Sequence, residues 1–268
     1  MTDAATALAA LHDSHGRLAE LAARLGPGEL RMMSYASEWT VADVLSHLGS
    51  GAEIGGLRLR AAAEGAEPPG RDVAQPVWDR WNAKTPEAKA ADALVADAAF
   101  LAAVDELDGG AREGFRLSMG RMELDLAGFL TSRLSEQTLH GWDIAVALDP
   151  TATLPRDATE LVLPTVGRVV RFTGKPVEPH GTLVVHTTDP DSDVELAIGE
   201  DGVVLSPAPA PASTPAPATT ATTAAGPDIT LPGEAFVRLV YGRLDRDHTP
   251  AAAEHPRLDQ LRRVFPGV

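Results

Sequence analysis

The segment RLSEQTLHGWDIA, residues 133–145, decides how the chain is read. Its apolar residues recur at helical intervals, yet Glu136, His140 and Asp143 stand four and then three residues apart. At about 100° per residue, Phe129, Arg133, Glu136, His140, Asp143 and Ala147 share one arc of a helix predicted over 122–148. Leu126, Leu130 and Ile144 put that arc at or beside the core-facing side. A carboxylate and an imidazole turned inward cost on the order of several kcal/mol unless they are paired or bound to a metal. Spacing alone serves an i, i+4 ion pair as well as it serves half of a metal site.

Upstream, SEWTVADVLSHLGSGAEIGGLRLRAAAEG (37–65) predicts a second helix, capped by Thr40 with Asp43 three residues on and running to about Ala63. His47 shares an arc with Val44, Gly51 and Ile54 and so also points inward. One histidine on an apolar face is ordinarily a core residue with a backbone partner. Three inward ligand-type residues on two helices are harder to dismiss. His47, Glu136 and His140 together make two histidines and one carboxylate with an open position, the ligand count of a catalytic rather than a structural zinc site. Asp143, one turn beyond His140, is placed to accept a hydrogen bond from a histidine ring N–H.

Two further helical stretches, 4–25 and about Thr85 to Leu107 with Pro86 in its first turn, complete a predicted antiparallel four-helix bundle. The texture then changes. DATELVLPTVGRVVRF (157–172) is helical but broken near Pro164. Alternating segments follow at 181–188, 193–199, 202–206 and 228–232, with short turns that favour an antiparallel meander. GEAFVRLVYGRL and HPRLDQLRRVF return to helical spacing. Strands grouped apart from helices predict an α+β, two-domain chain: a bundle over 1–150 and a small antiparallel sheet with helices over 151–268. The Pro/Ala/Thr-rich tract at about 206–227 has nothing to bury and reads as an extended loop inside the second domain.

Composition narrows the function. The net charge of −15 argues against nucleic acid, since there is no basic excess to displace counterions from phosphates. No apolar run approaches membrane-spanning length, and the N-terminus lacks the pattern of a secretory signal, so a cytoplasmic protein is expected. No long apolar heptad demands a partner subunit, and a monomer is expected. The chain has no cysteine, so any thiol chemistry needs a thiol from outside.

EWTVADVLSHL and RLSEQTLHGWDIAVAL, in this order, resemble the mycothiol-dependent maleylpyruvate isomerase family, whose first domain is a DinB-like metal-binding four-helix bundle. AFVRLVYGRL is similar to that family's C-terminal helix, in a sterol-carrier-like α+β domain. The resemblance implies Zn2+ or another divalent metal on His47, Glu136 and His140. It also implies mycothiol as thiol cosubstrate, attacking a small electrophile by isomerisation or S-conjugation. It implies a C-terminal arginine holding an anionic substrate, with Arg243 the candidate and Arg238 behind it. Two other readings stand beside this one: a non-catalytic metal-containing binding module, and a metal-assisted hydrolase.

Asp189, Asp191, Asp193 and Glu200 imitate a calcium loop, but Val194 occupies the obligatory glycine position and strands flank it, which predicts an acidic hairpin turn. His12, His15, His248 and His255 read as exposed.

Overall fold

A computed structural model describes residues 2–119, 122–208 and 228–267. The chain divides into two compact units, Met1–Leu154 and Pro155–Val268.

In the first unit, α1 (Ala4–Ala22) is capped by Asp3, and α2 (Val41–Ala63) starts from the predicted Thr40–Asp43 capping box. Thr40 Oγ1 accepts from Asp43 N at 3.2 Å, and Thr40 N donates back to Asp43 Oδ2 at 3.1 Å. A helix passed over by the sequence reading, α3 (Arg71–Asn82), precedes α4 (Pro86–Asp105), which begins at Thr85 with Pro86 in its first turn. A short turn, α5 (Gly109–Gly114), leads to a hairpin of β1 (Leu117–Met119) and β2 (Met122–Leu124). Helix α6 (Leu126–Leu148) therefore starts later than the predicted 122: Asp125 accepts from Gly128 N and caps it, and the preceding residues pair as strand.

Helices α1, α2, α4 and α6 pack as a bundle in which α4 and α6 both touch α1 and α2. The bundle is not antiparallel throughout. Asp43 meets Lys89, Gly49 meets Ala93 and Gly55 meets Phe100, so α2 and α4 run in the same direction. Helix α3 is what permits this, carrying the chain back between them. It is pinned to α2 by Trp81, whose Nε1 donates to Glu53 Oε2 at 2.9 Å. A Cβ on Gly49 would lie 2.3 Å from the Trp81 ring, so the close approach requires glycine there. Val41, Val44, Leu45, Leu48, Val77, Trp81 and Ile144 belong to the buried core. Full burial of each large side chain contributes about 1.5–3 kcal/mol.

The second unit opens with α7 (Arg156–Val162), a 3-10 turn at Leu163–Thr165 and α8 (Val166–Thr173), the break falling at Pro164 as predicted. Strands β3 (Gly181–Thr188), β4 (Ser192–Gly199) and β5 (Gly202–Pro207) form the expected antiparallel meander. Strand β6 (Ile229–Pro232) joins β3 in parallel, Val185 opposite Ile229, so the sheet is mixed rather than wholly antiparallel, in the order β5-β4-β3-β6. Helices α9 (Gly233–Val240) and α10 (Leu258–Val264) follow. Gly242 takes a positive φ of 70° after α9, where any Cβ would strike the Gly267 backbone. The predicted extended tract lies, from 209 to 227, outside the described residues.

Candidate metal centre

Helix α2 delivers His47 and α6 delivers Glu136 and His140 to one place. His47 Nε2 lies 3.1 Å from Glu136 Oε2, and His140 Nε2 lies 3.6 Å from the same oxygen. One donor atom from each of the three lies within 4.8 Å of the other two. Among the described residues this is the one trio of histidine and carboxylate groups so arranged. A tetrahedral zinc with bonds near 2.0–2.1 Å separates its ligand atoms by about 3.3 Å, so the two short separations bracket what the cation requires. The donor set therefore fits a divalent metal.

Asp143 is fully buried, and its Oδ2 lies 2.8 Å from His140 Nδ1. That contact fixes the ring with Nδ1–H donating to the carboxylate and the Nε2 lone pair turned toward the cluster. Trp39, just before the capping Thr40, stacks on His140 with centroids 6.0 Å apart and lies tilted against His47 at 5.1 Å. The Trp142 ring rests 4.8 Å from Tyr35 and its Nε1 donates to Ala152 O at 2.8 Å, which secures the end of α6 beyond Asp143.

The Glu136 side chain is 48% exposed. Its burial among neighbouring atoms would raise its pKa. The His47 hydrogen bond, followed by the charges of His140, His47 and Arg133, outweighs this and holds the carboxyl below the usual value. Glu136 is thus an ionised acceptor near neutrality.

Beside His47 and Glu136 opens a cleft of about 240 Å3, lined also by Gly51, Ile54, Arg58, Trp78, Phe129 and Arg133. His47, Gly51, Ile54 and Arg58 continue one helical stripe, the signal by which Arg58 is legible in the sequence. Trp78 was out of reach because it sits on the unpredicted α3.

The remaining sequence candidates are placed as follows. Arg243 follows α9, with its Nη1 donating to Tyr241 O at 3.1 Å. Arg238 is 2% exposed, paired with Glu234 at 2.7 Å and donating to His248 O at 2.8 Å, a structural anchor within its own unit. Asp189 and Asp191 lie in the β3–β4 hairpin turn, as predicted, whereas Asp193 is in β4 and Glu200 in the turn after it. His15 and His248 are half-buried rather than exposed, each within 2.9 Å of a carboxylate, from Asp97 and Asp245 respectively; His255 is also half-buried.

The first unit defines a class: a helical bundle presenting two histidines and a carboxylate around an accessible position. The model of the mycothiol maleylpyruvate isomerase N-terminal domain matches residues 11–145, and the chain belongs to that family. Two solved structures share its fold: a mycothiol-dependent maleylpyruvate isomerase and a histidine-to-alanine mutant of it. Each is 17% identical, with a TM-score of 0.66 over 96% of this chain and 98% of the other. No curated protein matches the chain by sequence. Among the described residues no helix is long and apolar enough to cross a membrane.

Proposed function

We propose that this protein is a metal-dependent enzyme using an exogenous low-molecular-weight thiol, mycothiol, to isomerise or S-conjugate a small electrophile such as maleylpyruvate. The observation that carries the reading is the convergence of His47, Glu136 and His140 with Asp143 behind them, in a chain without cysteine. A divalent cation, Zn2+ by donor type, would favour the thiolate of a bound thiol over the thiol and so supply a nucleophile near neutral pH.

The chain's own residues do the rest. His47 and His140 offer ring nitrogens as ligands, and Glu136 offsets part of the cation's charge. Asp143 holds the His140 ring in the ligating tautomer, and Trp39 shields one side of both rings from water. Addition of the thiolate to a cis-unsaturated carbon, rotation and elimination of the same thiolate give isomerisation. Retention of the new C–S bond, with a proton from solvent taken up at the adjacent carbon, gives a conjugate. Arg243 is proposed as a contact for an anionic substrate.

Metal analysis of the purified protein tests the reading, with at least one zinc or comparable ion per chain expected. His47→Ala, Glu136→Ala and His140→Ala should each abolish both metal retention and thiol-dependent turnover. A protein that is metal-free and indifferent to added zinc would sink the proposal. Thiol-independent ester or amide cleavage would replace it with the hydrolase reading.

A further inference from the structure

Arg58 is the one arginine lining the cleft that has no partner for its charge. Among the described residues it makes no hydrogen bond and no ion pair, and no carboxylate acts on it. Arg133, the other cleft arginine, is differently placed: its Nη2 is held by Asp97 Oδ1 at 2.9 Å and Leu48 O at 2.8 Å. Half-burial without a counter-charge is costly for a guanidinium, and burial alone pulls the Arg58 pKa below its usual value. The cost is kept in a chain of net charge −15, where acidic partners are plentiful. Something outside the chain is the natural counter-charge.

We propose that Arg58 receives the carboxylate of a small organic anion, holding it so that the anion's body lies along the cleft toward His47 and Glu136. The geometry constrains that anion. Arg58 lies eleven helical steps beyond His47, about 16 Å of axial rise, and long helical side chains lean back toward the helix N-terminus. The cleft that holds guanidinium and cluster is also lined by Gly51, Ile54, Gly55, Phe129 and Trp78. The glycines add no side-chain bulk, and Ile54, Phe129 and Trp78 make much of the remaining lining apolar, with Ser132 beside them. The ligand is therefore an elongated carboxylate with a flat or apolar body, its reacting carbon several bonds from the carboxylate. The planar fork of arginine suits two carboxylate oxygens at once, which lysine cannot reproduce.

This inference takes the cluster as the reactive end, as proposed above, but anion binding itself does not require metal. The test is calorimetric titration with sorbate, an unreactive six-carbon unsaturated carboxylate in the absence of thiol, and with its neutral amide. Zinc-supplemented and chelator-treated protein are compared. Wild-type protein should prefer sorbate to the amide in both states. Arg58→Gln should weaken sorbate at least about tenfold, the scale of one lost charge-assisted contact, and leave the amide unaffected. Arg58→Lys should recover only part of the loss, and zinc affinity should be unchanged in both variants. Equal sorbate affinity in Arg58→Gln and wild type, or no preference for sorbate over the amide in wild type, overturns the inference. If wild-type protein binds no zinc yet retains Arg58-dependent sorbate binding, the anion site stands and the metal reading falls alone.

Discussion

Helix α6 contributes to two polar clusters, each centred on a carboxylate with histidine beside it. At one, Arg133 and Gln137 meet Asp97 of α4, and His15 of α1 closes the group with Nδ1 2.9 Å from Asp97 Oδ2. At the other, Glu136 and His140 meet His47 of α2. Asp97 is 1% exposed and has arginine, glutamine and histidine around it, so its charge is answered within the protein. Glu136 is ringed by two imidazoles and a more distant arginine, but an open face leads to the cleft. The carboxylate sealed behind a fixed cation is a fastener. The carboxylate shared between two histidines at an accessible position has capacity left over. Solvent access and the nature of the partner separate the two.

Exchanging the losses breaks or confirms that contrast. Asp97→Ala strips the counter-charge from buried Arg133 and should cost about 3–5 kcal/mol of unfolding free energy in urea denaturation. Glu136→Ala should change the stability of metal-free protein by about 0.5 kcal/mol or less, because the side chain is half exposed. Equal destabilisation by the two would make the Glu136 cluster another structural fastener.

Asp143 connects the two behaviours, being as buried as Asp97 yet aimed at a ligand of the open cluster. Asp143→Asn keeps the shape but removes the negative charge that the His140 Nδ1–H faces. Zinc affinity, measured by chelator competition, should fall about 10–100-fold, as expected for a partner behind a metal ligand. An unchanged affinity would reduce Asp143 to packing.

The legible part of this molecule was what local pattern encodes. The Thr40–Asp43 box, the inward stripe through His47, the i, i+4 and i+7 placement of Glu136, His140 and Asp143, and three consecutive strands all follow from periods of 3.6 and 2. What escaped depends on contacts distant in sequence. Helix α3 hides because RDVAQPVWDRWN is polar, carries Pro76 inside and buries only Ala74, Val77 and Trp81. Missing it also concealed the parallel course of α2 and α4, and with it the Trp78 wall of the cleft. Likewise β6 reads as a strand, but its parallel partner β3 lies more than forty residues earlier, and no turn chemistry announces the pairing. The sealed Asp97 site went unread because its three partners come from two other helices, each unremarkable in isolation.

A third carboxylate, Asp43 at 38% exposure, falls between these extremes and gives the smallest test. It caps the helix that carries His47 and also accepts from Lys89 Nζ at 2.7 Å. Partial burial would raise its pKa, but the hydrogen bonds from Lys89 and Thr40 outweigh that, and the folded-state value lies below 3.8. With the folded pKa depressed, the stabilisation is complete above the unfolded pKa near 4 and fades as pH falls through the folded value. Asp43→Asn keeps an acceptor for the cap but carries no charge to lose. At pH 7 it should be less stable than wild type by roughly 1 kcal/mol, the scale of a cap plus a half-exposed ion pair. That gap should narrow as pH drops below about 4, where Asp43 protonates. Urea denaturation of both proteins from pH 7 to pH 3 measures it. A gap independent of pH would mean that the charge contributes nothing and that α2, with His47 on it, is held by packing and neutral capping alone.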